Sequence, residues 1–208
     1  MIINITKLVN IIMKTGRLEA FSDGVLAIVI TIMVLEMKAP EEVSFSALTK
    51  VVPVFISYLL SFIYIGIYWN NHHHLMHVTQ KVNGKILWAN LHLLFWLSLI
   101  PFTTSWLGEH HHFKESLPVA IYGFVLLMCA VAYFILERVL IKYHDDQFAL
   151  NQLPKLKWKD YVSTTLYISA LPLAYINTWF SIACFVAVAI IWIMPERRLE
   201  EFMEQEKV

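Results

Sequence analysis

Six stretches of this chain are apolar enough to be read as membrane spans, at about residues 20–37, 51–71, 86–107, 118–140, 161–176 and 178–194. Crossing the hydrocarbon layer as a helix takes about 20 predominantly apolar residues, and the first four stretches are close to that length. The last two are shorter, and the earlier of them holds Pro172 and several Ser, Thr and Tyr residues. Joined at Asn177-Thr178, they read as a tight helical hairpin. Pro101 lies inside the third stretch and predicts a kink, tolerable in a bilayer only if neighbours satisfy the freed carbonyl. With 58% apolar residues, against roughly 45–50% in soluble domains, the expectation is an all-α integral membrane protein.

Basic residues orient the spans. With the N-terminus inside, the cytoplasmic segments hold 13 of the 16 Lys and Arg residues, and the outer segments hold only Lys38, Lys50 and Lys114. This positive-inside bias puts both termini in the cytoplasm. An odd span count would strand Arg197 and Arg198 outside, so six spans are expected. The whole chain, 1–208, then reads as one six-span transmembrane domain with a cytoplasmic tail over 196–208, and no internal duplication stands out. Residues 1–16 read either as a short interfacial helix, from Ile2, Ile5, Leu8 and Ile12 at helical spacing, or in part as an extension ahead of a start at Met13. The connection over 141–160, with Lys155, Lys157 and Lys159 around Pro154, reads as a solvated basic loop or a lipid-headgroup site.

A formal net charge of zero gives no reason to expect nucleic acid. Cys129 and Cys184 stand alone inside apolar stretches and read as small core residues. The sequence holds no GxSxG, P-loop or GxGxxG motif, so no enzyme is expected.

The polar residues inside the spans carry the functional reading, because charge within a membrane is expensive and marks function by default. Arg17-Leu18-Glu19-Ala20-Phe21-Ser22-Asp23-Gly24 runs straight into the first span. At about 100° per residue, Gly24, Ile28, Thr31, Ile32 and Leu35 share one narrow face. Ser22 and Asp23 fall on the far side, where they must meet other helices. The Ile/Leu stripe reads either as an ordinary packing seam or, with several copies around an axis, as a hydrophobic constriction that gates by dewetting. Thr31 would add a hydroxyl ring between apolar layers.

The second span ends Tyr68-Trp69-Asn70-Asn71-His72-His73-His74-Leu75-Met76-His77, on the same side as Asp23. The third starts there with Trp88, Asn90 and His92. One imidazole is expected to meet Asp23, with Asn71 and Asn90 bonding Ser22 or Arg17. His73 and His77, spaced i, i+4, also admit a metal reading or a titrating one. The runner-up function is therefore a histidine-dependent metal-ion or proton transporter. His110, His111 and His112, beside Glu109 and Glu115, read as a solvated outer run.

Arg17, Phe21, Ser22, Asp23 and Gly24 before an Ile/Leu-rich helix, Tyr68-Trp69-x-x-His72-His73, and Asn90 to Gly108 with Leu99-Ile100-Pro101-Phe102 resemble the prokaryotic transmembrane-protein-175 cation channels. The animal relatives of that family are lysosomal potassium channels. The resemblance covers roughly residues 17–110. It implies a homotetramer of six-helix subunits in the prokaryotic inner membrane, with the first helix of each lining a modestly potassium-selective pore. It assigns the constriction to Ile28, Ile32 and Leu35, with Thr31 adjacent, and a structural network to Arg17, Ser22, Asp23, Trp69, His73 and Asn90. Which of His72, His73 and His74 is the partner stays open. The implied partners are the bilayer and monovalent cations, with no metal site and no cofactor beyond permeant potassium.

Overall fold

Apolar periodicity becomes seven helices in the structure, a computed structural model that describes residues 15–79, 81–109, 113–144 and 157–193. They are α1 (Thr15–Leu35), α2 (Phe45–His77), α3 (Gly84–Ser98), α4 (Ile100–Glu109), α5 (Ser116–Tyr143), α6 (Lys157–Ile176) and α7 (Thr178–Ile193). Among the described residues, four segments are long and apolar enough to cross a membrane: α1, α2, α3 with α4 taken together, and α5. α6 and α7 form where the hairpin is expected. The described part of α7 has 16 residues, about 24 Å of helix. The stretches 1–14, 145–156 and 194–208, with His110, His111 and His112, lie outside the described residues, and so do most of the basic loop and the tail.

Helix ends follow local chemistry. Ser44 caps α2 by accepting from the Ala47 N–H at 3.1 Å, and Asn83 caps α3 by accepting from Ile86 at 3.0 Å. Each satisfies one of the donors a helix start leaves open. At the α6–α7 turn, the Asn177 side chain accepts from the Trp179 N–H at 3.0 Å. Phe113, whose φ of 67° is the one positive value at a non-glycine residue among those described, sets its ring against Trp179.

The interruption expected at Pro101 lies two residues earlier, at Leu99, between α3 and α4. Proline has no N–H to give and clashes with the turn before it, so the helix breaks ahead of the ring. Past the break, Thr104 donates to the Ile100 carbonyl at 2.7 Å and Thr103 to the same oxygen at 3.1 Å, which ties down the first turn of α4.

α5 is the axle of the subunit. Val119, Tyr122, Leu126, Cys129, Ala132, Leu136 and Leu140 recur every three or four residues along it and are fully buried, and α3, α4, α6 and α7 all pack on it. α2 lies against α4, α1 and α7, and α1 against α2, α3 and α4. Between α2 and α4 the approach is so close that a Cβ at Gly108 would stand 2.6 Å from Ser57 Oγ and 2.8 Å from Val54 Cα. A backbone atom cannot swing aside as a rotamer can. Gly108→Ala is thus expected to cost about 2–3 kcal/mol, the upper range for overpacking, seen as a lowered thermal midpoint in detergent. An unchanged midpoint would show that the two helices separate freely.

Candidate functional site

α1 has two unlike faces. Leu18, Ser22, Leu26, Val29 and Met33 are buried against the other helices. Gly24, Ile28, Thr31, Ile32 and Leu35 are all exposed within the subunit, Ile28 by 59% and Leu35 by 77%. The seam that docks α1 onto its own subunit is therefore the Leu18–Met33 row. The Ile/Leu stripe has no partner among the described residues. Thr31 Oγ1 donates its hydrogen to the Ile28 carbonyl at 2.9 Å, which leaves the lone pairs of that oxygen on the exposed side.

The polar residues divide into two groups. The buried one is a chain across three helices. Ser22 Oγ donates to the Leu18 carbonyl at 2.9 Å and accepts from Asn90 Nδ2 at 2.9 Å. Asn90 Oδ1 is 2.7 Å from His72 Nε2. Because Ser22 has spent its only hydrogen, Asn90 must give its amide to Ser22 and take the imidazole hydrogen from His72. This fixes His72 as the Nε2–H tautomer, with Nδ1 buried and unpartnered among the described residues. Ser22 and Asn90 are fully buried and His72 is nearly so.

The second group is half exposed and runs along the α1–α2 edge. Trp69 Nε1 donates to Asp23 Oδ1 at 3.0 Å, and His73 Nδ1 lies 2.8 Å from Glu19 Oε1. Trp69, His73 and His77, one turn apart, stack in a column on α2. Partial exposure limits what such pairs add to stability, about 0–1 kcal/mol each.

The single network expected of Arg17, Ser22, Asp23, Trp69, His73 and Asn90 is thus arranged differently. His72, not His73, joins Asn90 and Ser22. His73 meets Glu19 instead of Asp23. Arg17 is exposed and is joined to neither group among the described residues. Asn71 turns back to the Ile67 carbonyl of its own helix at 2.8 Å. Among the described residues, no group of three or more His, Cys, Asp or Glu side chains converges as a metal site would.

One cluster has no counterpart in the sequence reading. Ser61 Oγ lies 2.7 Å from Thr104 Oγ1 and 3.0 Å from Tyr122 OH, and Ser57, whose Oγ is 2.8 Å from the Val54 carbonyl of its own helix, lies 3.3 Å from the Thr104 carbonyl. These buried hydroxyls satisfy one another where α2, α4 and α5 meet. Nearby, Tyr64 OH donates to the Phe185 carbonyl of α7 at 2.6 Å. Hydroxyls paired across helices hold a membrane bundle together where apolar contact alone has little drive.

Comparison with known proteins places this arrangement. The sequence model of the family described as endosomal/lysosomal potassium channel TMEM175 matches residues 17–101. A protein named as a potassium channel from Chryseobacterium sp. (strain P1-3) is 50% identical over 193 residues, 93% of this chain and all of that one. The rat protein named as endosomal/lysosomal proton channel TMEM175 is 26% identical over 135 residues, 62% of this chain and 26% of that one. Among solved structures, the crystal structure of a lysosomal potassium-selective channel TMEM175 homolog from Chamaesiphon minutus superposes with a TM-score of 0.72 at 29% identity. The match covers 86% of this chain and 95% of that one.

Proposed function

Because this chain belongs to the TMEM175 channel family, we propose that it forms a potassium-permeable, modestly selective pore and performs no enzymatic chemistry. The proposed assembly is a homotetramer of six-span subunits, 1–208 forming one domain, with α1 of each subunit at the axis. Both termini face the cytoplasm of a prokaryotic cell, and the chain resides in the inner membrane.

The observation that carries this reading is the exposure of the α1 stripe. Its opposite face buries Leu26, Val29 and Met33, so a packing role within the subunit is already filled by other residues. Four copies of Ile28, Ile32 and Leu35 around an axis make stacked apolar rings, a constriction that water wets poorly and that gates by dewetting. Thr31 sits between them with its oxygen lone pairs outward, so it can stand in for part of the hydration shell of a cation. The Ser22–Asn90–His72 chain and the Asp23–Trp69 bond hold the inner end of α1 at a fixed rotation. No metal or cofactor is assigned.

Purified protein in potassium-loaded liposomes should show potassium flux that exceeds sodium flux. Ile32→Cys should be modified from water by a small thiol reagent, and modification should block that flux. Both native cysteines are less accessible, Cys129 being buried and Cys184 partly so. Folded protein without flux, or full flux after complete modification of Ile32→Cys, would overturn the reading. Saturable flux that depends on a proton gradient would point to the histidine-dependent transporter instead.

A further inference from the structure

A groove of about 800 Å³ opens on the outer surface of the subunit between the start of α3 and the end of α5. Lys85, Trp88, Ala89, His92, Ile135 and Val139 line it. Nothing in the proposed pore uses it. Its wall residues recur at helical spacing on both sides, so it follows the line of the two helices. From Gly84 to His92 it runs about 12 Å along α3.

Chemistry changes along that length. At the mouth stand Lys85 and the first turn of α3, capped by Asn83. Lys142, exposed, follows Ile135 and Val139 on the same face of α5 and lies toward the same mouth. The Lys81 N–H meets His144 Nε2 at 3.4 Å, which brings the α2–α3 connection against the end of α5. Lys81, Lys85 and Lys142, all exposed, are thus carried at this one end of the α3–α5 pair. Two turns deeper, Trp96 Nε1 donates to His92 Nε2 at 3.0 Å. Indole can only donate, so neutral His92 carries its hydrogen on Nδ1, a spare donor in a wall that is otherwise apolar. Trp88, 75% exposed, stands between the two depths, where aromatic side chains sit at membrane interfaces.

We propose that this groove binds an anionic phospholipid of the inner leaflet. The phosphate lies on the rim of Lys81, Lys85 and Lys142. A glycerol ester carbonyl accepts from His92 Nδ1–H, and one acyl chain lies along Trp88, Ala89, Ile135 and Val139. The lengths agree: the polar layer of a bilayer is about 5–8 Å thick on each side, so a 12 Å groove passes through it into the hydrocarbon. Charge complementarity selects the ligand, because a basic rim at the cytoplasmic surface attracts acidic headgroups. The choice of leaflet rests on the positive-inside topology proposed above.

The test uses the full assembly and native mass spectrometry after extraction from vesicles of phosphatidylcholine with phosphatidylglycerol. Wild-type protein should retain phosphatidylglycerol in preference to phosphatidylcholine. The doubly substituted Lys85→Gln/Lys142→Gln protein should lose that preference by about tenfold. Ile135→Trp, which fills the groove and keeps every charge, should also lose the bound lipid. Equal retention of the two lipids by wild type would overturn the proposal, as would a preference unaltered in both variants. Displacement of the lipid by inorganic phosphate alone would overturn it too, since the site would then be a simple anion site. Two companion measurements separate this idea from the readings it stands beside. Potassium flux in pure phosphatidylcholine vesicles reports the pore whatever the groove binds. Labelling of Lys85→Cys in intact cells by an impermeant maleimide should fail; labelling would overturn the leaflet assignment.

Discussion

Potassium flux through liposomes carrying Leu35→Ala is expected to exceed that of wild type by about tenfold, a barrier change near 1.4 kcal/mol. Leu35 is more exposed than Ile28 or Ile32, at 77%, and stands clear of the core formed by the described residues. Its truncation therefore leaves the fold of the subunit intact, unlike truncation of Leu26 or Val29 on the buried face. In the proposed tetramer each such change acts four times. Four isobutyl groups replaced by methyls widen the ring and let water enter the constriction. Ile28→Ala and Ile32→Ala should act in the same direction, with Ile32 weaker because it is less exposed, at 40%. A polar side chain of leucine size at position 35, as in Leu35→Asn, should raise flux by wetting the ring with little widening. Wild-type flux in all four variants would mean that the stripe faces lipid or another surface, and the gate would have to be sought elsewhere.

That reading of α1 is available from sequence because a helix repeats every 3.6 residues, and two unlike sets of side chains cannot share one face. That Ser22 lies opposite Ile28, Ile32 and Leu35 follows from spacing, whereas the exposure of the Ile/Leu face is seen only in the folded subunit. Spacing gives no more than that. Whether the free face meets an axis, a neighbour or lipid depends on copies that one chain does not specify. The histidine run shows a second limit. His72, His73 and His74 point in three directions, and only the docking of α1 and α3 on α2 decides that His72 meets Asn90 while His73 meets Glu19. Hydropathy misjudges the ends of α2, expected over 51–71 and found from Phe45 to His77, because it marks the hydrocarbon layer and not the helix. The Ser61–Thr104–Tyr122 cluster is invisible for a related reason. A lone hydroxyl in an apolar helix can bond its own backbone, and its partners across helices are set by crossing geometry.

Asn90→Leu carries the second large effect. The substitution keeps the γ-branched shape and the number of side-chain heavy atoms, but it removes both bonds that tie Ser22 to His72. Ser22 keeps its bond to the Leu18 carbonyl and so loses only an accepted hydrogen bond. His72 fares worse: 2% exposed, it would hold an imidazole with neither nitrogen partnered. Leaving a buried donor unsatisfied costs about 1–3 kcal/mol, with about 1 kcal/mol more for the lost neutral bond. The sum, about 2–4 kcal/mol, should appear as lost tetramer on size exclusion and a lowered thermal midpoint, because α1 loses the anchor that sets its rotation. The double variant His72→Leu/Asn90→Leu separates this cause from simple mispacking. Replacing both partners with apolar groups removes the orphaned imidazole, and such paired replacements are close to neutral. The double variant should thus be more stable than Asn90→Leu alone, a coupling of about 1–2 kcal/mol in the double-mutant cycle. If the two losses simply add, Asn90 and His72 act as independent core residues, and the rotation of α1 must be held by the Asp23–Trp69 bond at the subunit edge.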